Sequence, residues 1–400
     1  MEFVNTSVFL IPVWFDDYSA FITALKKSGR WISVQEKTPS YLLSYVERLA
    51  ENPAEYQSFW LQSMPHTPVY MYEDYVPLPQ TPELSGVRFS CFGTGVGFME
   101  FRILYKGLTV EQITNFAYRF KKASPSKVPE GKRNLYDTAL RLLPEKTNAT
   151  LFFTGTADFK RECQCFHMLR LEEESYEVDQ LVRLRRSYST DFTPPQTDSD
   201  YDMVYDPYAH EHWGGSQEGL VAIITPSGDS RTDRFYRTFK YEHLTLDYRF
   251  LYLLLLNQRY SAIAYISQIA RTGSATDGEK LSLRIAKLKT AYSFNVISDD
   301  LLFQNVYARM YRILDIDRLL ADLQEGETQM ALLRSAESSR REKWLANLLA
   351  ALSGLTLFSA LIDAASFFDR FPVLQTISTW LSIGATAFIV VALLLLFRKK

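Results

Sequence analysis

Beyond Lys343 the mixture of charged and apolar positions gives way to two long uncharged runs. The first, 344–362, is closed by Asp363; the second, 371–397, is closed by Arg398, Lys399 and Lys400. A bilayer core about 30 Å thick takes roughly 20 apolar residues at about 1.5 Å rise each. The pattern therefore predicts two membrane-spanning helices, over about 344–368 and 373–397, folded as an antiparallel hairpin. A third apolar stretch, 244–270, is helical in period, but Arg249 and Arg259 interrupt it, so it reads as a buried helix of a soluble bundle.

The rest of the chain alternates strand-like and helix-like patterns. The β-rich run 7–15 is a strand, and Asp16 or Asp17 caps a helix over 18–27 that Gly29 ends. A strand at 31–36, a helix at 41–51 and a Tyr-rich strand at 69–76 follow. Segments 87–92 and 98–105 flank Gly93, Gly95 and Gly97 as a hairpin. A helix over 109–122 opens on a capping box formed by Thr109 and Gln112. Strands are expected at 150–154, 163–171 and 220–225, with a Pro- and Asp-rich loop at 191–202. An amphipathic helix covers 278–294, and Ser298 caps a third helix with Asp299 and Asp300 in its first turn. No proline follows until Pro372, so this helix can run unbroken to Phe368 as a stalk of about 70 residues, on the order of 105 Å. The fold class expected is an α+β cytosolic domain with ferredoxin-like elements, a long helical stalk and two C-terminal transmembrane helices. Its parts are a sensor domain, 1–243, a helical bundle and stalk, 244–343, and a transmembrane hairpin, 344–400.

Composition changes this picture little. Aromatics at 14% argue for well-filled cores, and a net charge of −2 gives no reason to expect direct nucleic-acid binding. Cys91, Cys163 and Cys165 form no disulfide framework and suit a reducing compartment. The N-terminal residues lack the pattern of a signal peptide. Arg340, Arg341 and Lys343 precede the first run and three basic residues follow the second, so both ends face the cytoplasm and an inner cell membrane is the expected location.

Candidate chemistry is sparse. The chain has no Gly-x-Ser-x-Gly elbow, Walker loop, His-Glu-x-x-His or Cys-x-x-Cys, so no catalytic residue, enzyme activity or cofactor is assigned. The glycines at 93–97 precede a strand, which suits a hairpin turn better than a phosphate cradle. Arg183, Arg185 and Arg186 beside Tyr188 can bind an anion or finish a salt-bridged helix. His210 and His212 share one face of a strand and can ligate a metal, but spacing supplies no third ligand, and a structural role is preferred. On the first uncharged run, Ser353, Thr356, Ser359 and Asp363 fall within about 120° of arc at 100° per residue. Such a stripe is either a pore wall in a ring of copies or a close helix-packing face. As a pore wall it places acids at the outer mouth, Asp363 itself and Asp369 in the following loop.

In layout the chain resembles the CorA-like membrane channels: a cytosolic α/β domain, apolar helices, one long stalk running into the first span and a second span ending in basic residues. The resemblance implies a homo-oligomer, a pentamer in that family, with the first span lining a pore in a lipid bilayer. The family's Gly-Met-Asn is absent; the matching place reads Asp363-Ala364-Ala365-Ser366-Phe367-Phe368, so its selectivity residues are not carried over. The chain is also similar to CorA-like effectors beside type III CRISPR systems, which implies a channel gated by a nucleotide messenger in antiviral defence. A divalent-cation (magnesium-type) transporter and a membrane-anchored binding or enzymatic domain without a pore are the alternatives. Neither the gating ligand's site nor a metal site is assigned to particular residues.

Overall fold

The computed structural model describes residues 3–63, 67–68, 82–122, 135–145, 147–152, 163–172, 177–191, 202–271, 275–368, 379–380 and 383–384. They fall in two compact units, Met1–Glu325 and Gly326–Lys400. The strands, all in the first unit, are β1 (Asn5–Trp14), β2 (Trp31–Val34), β3 (Tyr56–Leu61), β4 (Thr67–Pro68), β5 (Glu83–Phe92), β6 (Val96–Tyr105), β7 (Thr150–Leu151), β8 (Gln164–Arg170), β9 (Asp202–Tyr208), β10 (Glu211–Ser216) and β11 (Gly219–Ile224). They form one sheet in the order β2-β3-β5-β6-β1-β8-β11-β10-β9, with β4 beside β5 and β7 beside β1. Every pairing is antiparallel except β8 with β11.

Both faces of the sheet are covered, which is why the central strands read as apolar runs instead of clean alternations. On one face, Phe9, Ile11 and Val13 of β1 and Met99 and Phe101 of β6 share a core with four helices. These are α1 (Tyr18–Lys27), α3 (Val110–Lys122), α4 (Leu135–Leu142) and α5 (Val178–Arg186); α2 (Ser44–Glu51) packs near β3. On the other face lies a helical run from Ser230 to Ile269. It comprises α6 (Ser230–Phe235), a π-helical turn Tyr236–Lys240, α7 (Tyr241–His243), a second π-helical turn Leu244–Tyr248 and α8 (Arg249–Ile269). Its rings meet the sheet: Tyr248 lies 4.6 Å from Trp213, Tyr260 5.9 Å from Phe98 and Tyr252 6.1 Å from Phe166. Residues 251–256 are all buried, each leucine contributing about 1.5–3 kcal/mol by leaving water. Next come α9 (Ala275–Lys287), which ends in a π-helical turn Leu288–Tyr292, then α10 (Leu301–Ile313) and α11 (Ile316–Phe368).

Several local signals act as the sequence predicts. The Asp17 carboxylate accepts from Ala20 N at 3.0 Å, and Gly29 takes φ +66° just past α1. Thr109 and Gln112 close a reciprocal capping box, with bonds of 3.0 and 3.3 Å. β5 and β6 form the expected hairpin; Gly95, at φ +89°, sits in its turn. The strand expected at 69–76 lies outside the described residues.

Other expectations are corrected. The first unit is a mixed α/β body with one large sheet between helical layers, not a ferredoxin-like half-sandwich beside a separate bundle. The two C-terminal transmembrane helices are not found: among the described residues no helix is long and apolar enough to cross a membrane. The first run is the end of α11, a single 53-residue helix that carries Asp317, Glu342 and Lys343 before the run and Asn347, Ser353 and Thr356 within it. The second run, 373–397, lies outside the described residues except at 379–380 and 383–384.

The stalk is also not one helix from Ser298. Asp300 is the cap of α10, accepting from Phe303 N at 2.8 Å, while Ser298 Oγ accepts from Asp300 N at 3.0 Å and donates to Tyr41 O. The chain then breaks at Asp315, which adopts a left-handed φ of +56°. Arg259 donates to Leu314 O at 2.5 Å, taking up a carbonyl that a continuous helix would have satisfied itself.

Removing the α10 cap with Asp300→Ala is expected to cost about 1 kcal/mol of stability. Urea unfolding of the two proteins measures it; an unchanged midpoint would show that Asp300 does not cap α10 in solution.

Candidate functional site

A row of polar side chains crosses the face of the sheet under the Ser230–Ile269 helical run, where an apolar core would be expected. Side chains alternate between sheet faces with a period of two. Tyr56, Ser58 and Trp60 of β3, Arg88 and Ser90 of β5, and Glu100 and Arg102 of β6 accordingly point to one side. The register places Ser58 opposite Ser90, Trp60 opposite Arg88 and Arg88 opposite Glu100, so the row is continuous over three strands.

The helical run above supplies Tyr241, Thr245 and Arg249, spaced by four. The π-helical turn Leu244–Tyr248 widens the helix between them, and such turns recur at functional sites. Tyr241 Oη accepts from Arg102 Nη2 at 3.0 Å and lies 3.0 Å from Thr6 Oγ1. Arg249 reaches deepest. Its Nη1 donates to both oxygens of Glu100, at 2.9 and 3.1 Å, and its Nη2 donates to Glu36 Oε2 at 2.5 Å.

Glu36 comes from the loop after β2. Its second oxygen pairs with Arg88 Nη1 at 2.5 Å and accepts from Ser58 Oγ at 3.1 Å. Ser90 Oγ donates to Glu100 Oε1 at 2.5 Å, and the Arg88 guanidinium lies 4.5 Å over the Trp60 ring. Burial alone raises the Glu36 carboxyl, but the guanidiniums of Arg249 and Arg88 and the Ser58 hydroxyl outweigh it and hold it below its ordinary value. Burial likewise disfavours the Arg249 cation, and Glu100 and Glu36 more than restore it. Arg88 is pushed below its ordinary value by burial and by Arg249, despite the two carboxylates.

Glu36 also lines a cleft of about 530 Å³ whose walls include Lys26, Lys37, Thr38, Gln57, Leu246 and Phe250. A cleft of this size, part apolar and with two lysines and two glutamates, Glu36 and Glu51, in its wall, suits a small ligand. Within the cleft the Ser58 hydroxyl donates to the Glu36 carboxylate at 3.1 Å.

The residues singled out from sequence lie elsewhere. Ser353 and Thr356 are exposed on α11, and Thr356 Oγ1 donates to Ser353 O at 2.8 Å, a bond within the helix. Ser359 and Asp363 fall on the same helix beyond the residues whose side chains are described, and Asp369 lies outside the described residues. In the Arg183–Arg186 segment the salt-bridged reading fits: Arg185 Nη1 donates to Met203 O at 2.7 Å, and Arg186 pairs with Asp202. His212 Nδ1 lies 2.9 Å from Asp206 and its Nε2 3.5 Å from Thr225 Oγ1; among the described residues no group of three metal-ligating side chains is present. The buried Ser7–His167 pair, at 2.6 Å, is closed to solvent, and burial lowers His167 to about 3, so the ring stays neutral.

Sequence reasoning missed the Glu36–Arg88–Glu100–Arg249 network. The available signal was opposite charge at same-face positions of apolar strands, Arg88 on β5 with Glu100 and Arg102 on β6, together with Arg249 inside the most apolar helix. No family model, curated protein or solved structure matches the chain.

Arg249→Met leaves the buried Glu100 carboxylate without its cation and should destabilise the protein by about 3–5 kcal/mol; a calorimetric loss under 1 kcal/mol would contradict the pairing. Glu36 gives a pH signature. A carboxyl held low in the folded state adds stability above its unfolded value and loses it as pH falls through the folded value. Stability should therefore drop on acidification below the ordinary glutamate range, and the Glu36→Gln protein should drop less over that window in pH-stepped urea melts.

Proposed function

We propose that the chain is a ligand-sensing module that works as a homo-oligomer. In this reading the cleft beside Glu36 takes the ligand, and α11 carries the contacts between copies. The observation that carries the proposal is the row Trp344, Leu345, Leu348, Leu349 and Leu352, all exposed and spaced to share one helix face. A helix of 53 residues, about 80 Å long, draws little stability from propensity and relies on packing of its apolar face. A contiguous exposed apolar row of this kind marks an association surface. Copies of the same helix lying side by side satisfy it, as the CorA-like resemblance also suggests.

The narrower form of this proposal is a CorA-like channel whose assembly conducts ions in response to a ligand, a nucleotide messenger by the same resemblance. The exposed neighbours Ser353 and Thr356 favour it, because they set hydroxyls beside the apolar row. Ligand-dependent ion flux from loaded vesicles tests that form, and rescue of a magnesium-transport-deficient strain would favour the transporter alternative.

The broader proposal is tested by mass. The intact protein should sediment as a multiple of its chain mass, and Leu348→Asp with Leu352→Asp should shift it toward the single chain while leaving the circular-dichroism melt of the first unit in place. A native protein that is monomeric at micromolar concentration would sink the reading.

A further inference from the structure

The buried network does not balance its charge. Arg88, Arg102 and Arg249 face Glu36 and Glu100, three guanidiniums against two carboxylates, and Arg102 pairs with no carboxylate among the described residues. The Nε atoms of both Arg88 and Arg102 are buried without a hydrogen-bond partner. Buried donors left unpaired are costly and call for an acceptor. Arg88 and Arg102 line a cavity of about 30 Å³ whose wall also holds Arg249 with its partner Glu100, closed by the buried Val8 and Met168 and bordered by Trp60 and Thr245. The space exceeds the roughly 10–15 Å³ that a single water needs. Planar guanidinium forks match oxyanions in geometry and charge.

The two carboxylates are held differently. Glu100 sits on β6 and is gripped by Ser90 and by both bonds from Arg249. Glu36 is held by Arg249, Arg88 and Ser58, but it sits on a loop instead of a strand, next to Lys37, whose own pair with Glu242 is solvent-exposed. Glu36 is thus the acid that can yield when a second anion competes for Arg88.

We propose that this cavity is an oxyanion site, taking a phosphate, phosphate ester or small carboxylate on the Nε groups of Arg88 and Arg102, with the Glu36 carboxylate as its built-in competitor. The proposal rests on the reading of the first unit as the ligand-binding part, and it names the chemistry that part recognises. It also connects the site to the rest of the fold. The 36–43 loop that carries Glu36 donates Ser40 N to Asp247 at 3.3 Å and Leu43 N to Ile297 O at 2.8 Å, and its Tyr41 carbonyl accepts from Ser298 beside the α10 cap. A ligand that loosens Glu36 acts on the segment that holds the start of α10.

The test is calorimetric titration and thermal melting of the full chain with inorganic phosphate, with acetate, and with chloride at matched ionic strength. The expected result is a saturable rise in melting temperature with phosphate or with acetate, whichever anion the site prefers, and none with chloride. Arg102→Gln should weaken that binding at least tenfold, and Glu36→Gln should tighten it about tenfold by removing the competitor. Arg102→Gln breaks no charge pair and keeps the test readable should Glu36→Gln fail to fold. No saturable effect of either oxyanion on the native protein, an equal effect of chloride, or unchanged affinity in Arg102→Gln would overturn the proposal. Oligomeric state plays no part in this readout. A monomer that binds phosphate overturns only the assembly reading, and an oligomer indifferent to every oxyanion overturns only this one.

Discussion

Arg249 is the pin between sheet and helix in the first unit. Its guanidinium is buried and bonded to Glu100 on β6 and to Glu36 on the loop after β2, so one side chain ties the helical run to the middle of the sheet and to its edge at once. A charge in that position is tolerated only because two carboxylates and their hydroxyl partners meet it. The surrounding sequence follows from this demand. Ser58 and Ser90 stand where an apolar strand would carry Val or Ile, since their hydroxyls complete the carboxylates' coordination. Tyr241, Thr245 and Arg249, spaced by four, share one side of the run, with a π-helical turn at Leu244–Tyr248 between the first and the last.

Burying a pair of this kind adds little net stability compared with well-packed hydrocarbons, because desolvation offsets attraction. What it adds is selectivity of arrangement. Only one register of β5 against β6 sets Arg88 opposite Glu100, and a one-residue slip of β5 would carry Arg88 to the other face, among Phe9 and Met99, and leave Glu100 without it. The network therefore specifies the sheet as much as it stabilises it. It also leaves guanidiniums beside apolar side chains in the wall of a small cavity of the first unit.

Much of the local structure was legible because its signals are short-range. Asp17, Gly29, the Thr109–Gln112 box and the β5–β6 turn act within a few residues of where they stand. The burial of α8 was readable from Arg249 and Arg259, though not what they bind. Illegible features depend on distant partners. β3 is six residues with two interior polar side chains, and it is a strand because β2 and β5 flank it. β9 contains Asp202, Asp206 and Pro207, poor strand formers, and is held by β10. The break at Asp315 carries neither Gly nor Pro; Arg259, far away in sequence, accounts for it. Most of all, hydrophobic length alone suggested two membrane spans, and among the described residues no helix is long and apolar enough to cross a membrane, although α11 does continue through the first apolar run to Phe368, as the proline-free sequence implied.

The position of β1 has a consequence for how the chain reaches this state. It precedes every other strand in the sequence, yet it lies mid-sheet, between β6, some 90 residues on, and β8, about 160 residues on. During synthesis at roughly 5–20 residues per second, that apolar strand leaves the ribosome several seconds before either neighbour exists. Loop closure over such separations is entropically slow. For that interval 5–14 is an unpaired, aggregation-prone segment with two free edges, and it is there, more than at the cleft beside Glu36, that a chaperone would be expected to hold the nascent protein.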